Sequence, residues 1–420
     1  MDKFIIQGGR RLEGTIVVSG SKNATLPIAV AAAILGDGVS TIHNVPLLQD
    51  VNFMCGVLEV LGTKTQLENS VLTIDPGEHA AYEAPYDLVR KMRASIYVLG
   101  PLVAKLGRAR VSFPGGCAIG TRPVDLHLTG LENLGAQIKV EHGYIVAEAN
   151  KLVGSDMSLR GPSGSSVGAT GNVMMAATLA EGTTTIFDAA CEPEIVDLAN
   201  FLNAIGANIE GAGTPVIKIH GVKELSGTKY SVIPDRIEAG TFMAAAAITK
   251  GDLLIKHALP HHLGAVTEKL IEAGVNIEWR DDGARVTVTD KLRSVDVRTS
   301  PFPGFPTDMQ AQMIGLMSIT EGISVITETI FPDRFIHVSE LNRMGASIRI
   351  EDGSAIVKGV EKLSGASVMA SDLRAGAVLV LAGLAAEGET TVLRVYHIDR
   401  GYEYIERKLA AVGASIVRVS

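Results

Sequence analysis

Apolar residues recur along this chain in two patterns. Stretches such as SKNATLPIAVAAAIL, RIEAGTFMAAAAI and DLRAGAVLVLAGLAA are rich in alanine and glycine and apolar on nearly every face, which predicts helices buried on all sides. Helices of this set run into a glycine turn and then a β-rich segment at six places: GDGVSTIHNV, LGRARVSF, EGTTTIFDA, KGDLLIKHA, EGISVITET and EGETTVLRV. Glycine at a helix end supplies a left-handed cap, and the β-branched residues after it favour an extended strand. The second pattern is an apolar residue or two, a glycine, a small residue and another β-rich run. It occurs as LEVLGTKTQL, LENLGAQIKV, LNAIGANIEG, IEAGVNIEW, LNRMGASIRI and LAAVGASIVRV, with Gly62, Gly135, Gly206, Gly274, Gly345 and Gly413 as its markers.

The two patterns interleave with a period of roughly 70 residues, so each unit reads as helix, strand, loop, helix, strand. The fold class is α/β with six repeated units. Six such units exceed one core, and three plus three is the natural division, with a boundary between Tyr230 and Pro234. The expected domains are 21–233 and 1–20 plus 234–420. A strand from Phe4 to Val18 precedes the first helix and could complete either half.

The buried helices begin with polar residues: Lys22 and Asn23, Arg93, Ser166, Glu238, Asp308, and Asp372 with Arg374. One reading is that each caps its helix. The other is that several helix N-termini, each with unpaired N–H groups and partial positive charge, face one cleft and bind phosphates or carboxylates.

Composition narrows the function classes. The chain has 420 residues, 46% hydrophobic, 20% charged, and a net charge of −8, which argues for a globular protein and against broad nucleic-acid binding. No apolar run reaches the roughly 18 residues that cross a bilayer, and MDKFIIQGGRRLEG lacks the features of a signal peptide, so a cytoplasmic location without membrane insertion is expected. Cys55, Cys117 and Cys191 are an odd number without metal-type spacing, which predicts neither a disulfide framework nor a zinc site.

Cys55 and Cys191 read as small apolar residues. Cys117 differs, because the segment FPGGCAIGTRPVDLH sets it in a glycine-rich loop five residues before Arg122. A nearby guanidinium favours the thiolate, and a loop gives it access to reactants.

That loop resembles the signature of the UDP-N-acetylglucosamine 1-carboxyvinyltransferase family of enolpyruvyl transferases. The resemblance extends over essentially the whole chain, through GSKNATLPI, RKMRASIYVLGPL, SVGAT, EPEIVDLANFL, PDRIEAGTF, PTDMQAQM, DRFIHVSELNRMGA, SDLRAGAVLVLAG and HIDRGYEYIERKL. It implies a two-domain inside-out α/β barrel, three repeats per domain, with the active site in the interdomain cleft. It also implies the first committed reaction of peptidoglycan synthesis: transfer of the enolpyruvyl group of phosphoenolpyruvate to UDP-N-acetylglucosamine, with no metal and no cofactor.

By the same resemblance, Cys117 delivers a proton and forms an adduct with phosphoenolpyruvate, and Asp308 is the base. Lys22, Arg122 and Arg400 would hold phosphoenolpyruvate, with Arg93, Arg334 and Arg374 nearby and Asn23, Ile330 and Asp372 completing the substrate contacts. Arginine forks suit carboxylates and phosphates alike. Uridine and diphosphate fall to Arg122, Pro123, Val124, Asp125, Leu126 and His127, with Ser166, Val167 and Gly168. Some family members carry a lysine before this serine, and GPSGSSVG has none. His127 is equally readable as a structural residue, and Asp308 as a helix cap. The alternatives are the shikimate-pathway enolpyruvyl transferase, which lacks the cysteine loop, and an inactive regulator that binds nucleotide sugars.

Overall fold

Why the second set of glycines recurs is visible in the backbone. Gly62, Gly135, Gly206, Gly274, Gly345 and Gly413 all have φ between 91° and 114°, and each follows the C-cap residue of a helix. A side chain is strained at such angles, so glycine ends the helix and turns the chain into the next strand. The structure is a computed structural model that describes residues 2–77, 81–114 and 123–420.

Contacts divide the described residues into two units, one of 20–77, 81–114 and 123–233, called below the unit of residues 20–233, and one of 234–420 joined by 2–19. In the first, helices Lys22–Ile34, Leu99–Leu106 and Val167–Ala177 pack on one another, and nearly all their side chains are buried, as their all-round apolarity dictates. Around them lie three four-stranded sheets. In each, a short edge strand pairs parallel to a central strand, which pairs antiparallel to a third, which pairs antiparallel to the outer one. The first has the order Lys229–Ser231, Ser40–His43, Val71–Asp75, Lys64–Glu68. Sheets centred on Arg108–Ser112 and Thr183–Phe187 repeat the arrangement. Strand residues alternate, with Leu72, Ile74, Ile217 and Ile219 inward and fully buried.

In the other unit, helices Arg236–Ile248, Gln310–Met317 and Leu373–Ala385 form the centre, with three sheets of the same pairing. The segment Phe4 to Val18 is not one strand. It forms Lys3–Gln7 and Glu13–Val17, which enter different sheets of this unit: the first lies between Glu389–Leu393 and Ser415–Val419, the second runs parallel to Asp252–Lys256. The break comes at Gly8, where a Cβ would stand 2.1 Å from the Ala386 carbonyl oxygen, so the chain can turn closely over that helix end. Each unit therefore contains more strand than helix, strand, loop, helix, strand. The added strands are third strands of five residues and edge strands of two to five, too short for alternation to register.

Candidate active site

In the unit of residues 20–233, Lys22 opens the first core helix after Ser21, whose side chain accepts a hydrogen bond from the Ala24 N–H at 3.4 Å. Lys22 is 9% exposed, and its Nζ lies 3.4 Å from Oδ2 of Asp50, itself buried. Asp50 escaped the sequence reading because it sits inside an ordinary helix, Gln49–Val60, with nothing local to tie it to Lys22. The half-buried Asn23 follows. Arg93 opens the 3₁₀ turn Arg93–Val98, and its Nη2 donates to the carbonyl of Pro123 at 3.0 Å.

Pro123 is exposed and Val124 buried, and Asp125, Leu126 and His127 form the first turn of helix Asp125–Asn133. His127 is buried, and the Asn172 side chain donates to its Nδ1 at 3.0 Å. Asn172 is itself oriented, since its Oδ1 accepts from the Gly100 N–H at 2.8 Å and its Nδ2 also donates to the Ile96 carbonyl at 3.0 Å. In a neutral ring the proton then sits on Nε2. That nitrogen faces Gly168, where a Cβ would approach within 2.9 Å. Ser166 caps helix Val167–Ala177 by accepting from the Ala169 N–H at 3.3 Å. The structure thus brings His127 against the Ser166-Val167-Gly168 helix start, and Asn172, invisible as a lone polar residue in an apolar helix, sets its tautomer.

In the unit of residues 234–420, Asp308 stands in the 3₁₀ turn Thr307–Met309, ahead of helix Gln310–Met317. Neither element carries a side-chain cap, so the capping reading of Asp308 is overturned. Its carboxylate goes to two arginines: Oδ1 forms an ion pair with Arg334 Nη1 at 2.8 Å, and Oδ2 accepts from Arg374 Nη2 at 3.0 Å. Both arginines are buried, at 5% and 2% exposure. Each of its oxygens is therefore held by a different guanidinium.

Arg374 follows the cap of helix Leu373–Ala385, where Asp372 Oδ1 accepts from the N–H groups of Arg374 and Ala375 at 2.9 and 3.0 Å. Its guanidinium lies 5.3 Å from the centre of the Tyr402 ring, and the Tyr402 hydroxyl meets Thr241 Oγ1 at 2.9 Å and Gln312 Nε2 at 3.1 Å. Burial opposes the Arg374 charge, but Tyr402, Asp308 and Asp235 outweigh it and hold the guanidinium above its ordinary range.

The loop 328–334 carries Ile330, half-buried, and Arg334. It is fastened by Glu328, a buried carboxylate that accepts from Thr299 Oγ1, Thr307 Oγ1, Ile330 N and Phe331 N at 2.8 to 3.0 Å. Nearby His337 is pushed down to about 4, by burial and by the Arg334 charge, against the pull of Asp372.

Arg400 ends the 3₁₀ turn Val395–Arg400, and the preceding Asp399 is gripped by Arg418 through its two terminal guanidinium nitrogens. His397 in that turn is lowered by burial and by the flanking Arg400 and Arg394.

Cys117 and Arg122 lie outside the described residues. Of the two cysteines described, Cys55 is buried in the core of its unit, and burial raises its thiol and that of Cys191 above the ordinary value. Among the described residues, no three His, Cys, Asp or Glu side chains are grouped to hold a metal ion, and no helix is long and apolar enough to cross a membrane.

The family described as EPSP synthase (3-phosphoshikimate 1-carboxyvinyltransferase) matches residues 6–409. The chain is 56% identical to UDP-N-acetylglucosamine 1-carboxyvinyltransferase of Desulfosudis oleivorans over the full length of both, and 56% identical to the protein of that name from Trichlorobacter lovleyi, also over both chains. Among solved structures, the enolpyruvyl transferase NikO of Streptomyces tendae superposes with a TM-score of 0.89 at 26% identity, covering 100% of this chain and 99% of the other. EPSP synthase of Acinetobacter baumannii shares the fold at 20% identity and a TM-score of 0.74, over 100% of both chains.

Proposed function

The chain belongs to the EPSP synthase (3-phosphoshikimate 1-carboxyvinyltransferase) family, and from that premise we propose that it transfers the enolpyruvyl group of phosphoenolpyruvate to the 3′-hydroxyl of UDP-N-acetylglucosamine. This is the first committed step of peptidoglycan synthesis. The observation that carries the reading is the 56% identity, over the whole of both chains, to enzymes named for this acceptor. The solved structures named EPSP synthase stand at 20%.

The chemistry is addition followed by elimination. The sugar hydroxyl oxygen bonds to C2 of phosphoenolpyruvate while its proton passes to Asp308, and Cys117 protonates C3. The tetrahedral adduct then loses a proton from C3, and its C–O bond to phosphate breaks to restore the double bond. Atoms balance as enolpyruvyl ether plus phosphate, with no oxidant or metal. Asp308 suits the base because Arg334 and Arg374 hold its two oxygens in place. Lys22, Arg122 and Arg400 would take the phosphate and carboxylate, with Arg93 nearby, an electrostatic contribution of about 3 kcal/mol per well-placed donor. Pro123 to His127 and Ser166 to Gly168 would meet the uridine and diphosphate.

The cytoplasm is the compartment proposed, since it keeps the reactive thiol reduced.

The test is phosphate release from phosphoenolpyruvate, with UDP-N-acetylglucosamine, with shikimate 3-phosphate, and with neither. Release that needs the nucleotide sugar is expected. Release with shikimate 3-phosphate alone would transfer the protein to the other acceptor, and binding of the nucleotide sugar without release would make it a regulator.

A further inference from the structure

Glu328 is the last residue but one of the repeat segment EGISVITET, and it makes no ion pair with Asp308 or the arginines. Its surroundings nevertheless define a relay with only one consistent set of donors. The Thr329 N–H donates to Thr299 Oγ1 at 2.8 Å, which directs the Thr299 hydroxyl proton toward Glu328 Oε1 at 2.8 Å. Arg334 Nη1 donates to Thr307 Oγ1 at 3.0 Å, which directs the Thr307 proton toward Glu328 Oε2 at 2.9 Å. The N–H groups of Ile330 and Phe331 complete the set at 2.8 and 3.0 Å. Glu328, 3% exposed, is the acceptor in all four bonds. The same Arg334 nitrogen that contacts Thr307 also holds Asp308 Oδ1, at 2.8 Å.

We infer that Glu328 is a positioning residue for the transfer reaction: through the Thr307 hydroxyl it sets the Arg334 guanidinium, and through Arg334 it aims the Asp308 carboxylate at the acceptor hydroxyl. The inference rests on the assignment of Asp308 as base. Donation runs outward from Arg334, to Asp308 on one side and through the Thr307 hydroxyl to Glu328 on the other, and Thr307, by donating to a carboxylate, becomes the stronger acceptor for Arg334. A base must meet its proton within hydrogen-bond reach, so tilting Asp308 slows the chemical step before it weakens substrate binding.

The carboxylate is required, because an amide inverts one link. In Glu328→Gln, a side-chain oxygen can still serve Thr299 and the two backbone N–H groups, but an NH₂ then faces Thr307 Oγ1. That oxygen would lie between two donors, and its bond from Arg334 would weaken. Thr307→Val deletes the relay atom at nearly constant volume, and Thr307→Ser keeps it.

The experiment measures kcat and both KM values for wild type, Glu328→Gln, Thr307→Val and Thr307→Ser by nucleotide-sugar-dependent phosphate release, with thermal melts alongside. The expected result is a fall in kcat of about tenfold or more for Glu328→Gln and Thr307→Val, KM for phosphoenolpyruvate within about threefold, and Thr307→Ser within about threefold of wild type. If Glu328→Gln does not fold, the contrast between valine and serine at 307 carries the test. Wild-type kcat in Thr307→Val, or a serine variant as slow as the valine one, would overturn the positioning role and leave the transferase reading intact. No nucleotide-sugar-dependent release from the wild type would overturn the transferase reading and this inference with it.

Discussion

At the scale of single residues, charge and burial decide what each side chain can do. Asp197, on helix Pro193–Ala204, is buried and accepts from the Tyr230 hydroxyl at 2.6 Å and the Ile233 N–H at 3.2 Å. Burial nonetheless raises its carboxyl from the ordinary 3.8 to about 6, with Glu194 adding to the rise. A carboxyl that holds its proton more tightly folded than unfolded stabilises the fold at low pH and loses that contribution as pH rises through the folded value. Stability of the unit of residues 20–233 is therefore expected to fall by about 1 to 3 kcal/mol between pH 4 and 6 from this group. Denaturant titrations of Asp197→Asn across that range would show a flatter dependence than wild type, and an unchanged slope would remove Asp197 as its source. For Cys117, the need for an acid in the proposed chemistry makes a separable prediction. Cys117→Ala should lose at least about a hundredfold in turnover, the scale of one general acid. Cys117→Asp should keep turnover and resist thiol-directed epoxides such as fosfomycin, because a carboxyl donates a proton but offers no sulfur to alkylate. Full epoxide inhibition of the aspartate variant would sink that account of the loop.

At the scale of elements, the repeat is held by features worth about a kilocalorie each. Gly274 has a φ of 98°, and a Cβ there would meet nothing nearer than 3.6 Å, so Gly274→Ala tests backbone strain without a clash. It should destabilise by about 1 kcal/mol, read as a lower denaturation midpoint at constant slope. An unchanged midpoint would mean that the helix-to-strand turn does not depend on the left-handed glycine. The buried helices and these glycine turns were legible because both are local: an apolar stretch with no polar face, and a residue whose backbone freedom has one use. The edge strands were not legible. Val297–Arg298 and Glu83–Ala84 are two residues long, and only pairing with Ile323–Thr327 and Arg108–Ser112 makes them strands.

At the scale of the whole molecule, chain termini close the repeats. Lys3–Gln7 is the third strand of the last sheet, with Phe4 opposite Val392 on one side and Arg418 on the other, and Phe4 and Ile6 fully buried beneath. Lys229–Ser231 likewise completes the first sheet of its own unit beside Ser40–His43. Removing residues 1–8 should expose both neighbouring strands, so hydrogen exchange at 389–393 and 415–419 is expected to accelerate by about a hundredfold or more, with residues 40–75 unaffected. Equal protection in the truncated chain would show that the last sheet stands without its N-terminal strand.

What the sequence determined by itself was everything that periodicity and local chemistry encode: which helices are buried, where each helix stops, that units repeat, and which residue types could handle phosphate and carboxylate. The resemblance in its motifs added the reaction. What only the tertiary structure decided were the pairings between residues far apart in the chain. Asp50 meets Lys22, Asn172 sets the His127 ring, Arg334 and Arg374 clamp an Asp308 that local reading takes for a cap, and Glu328 fastens the loop that carries Arg334. The physical reason is that capping, turn geometry and hydrophobic periodicity act within a few residues, whereas the partner of a buried charge is chosen by packing and leaves no local trace.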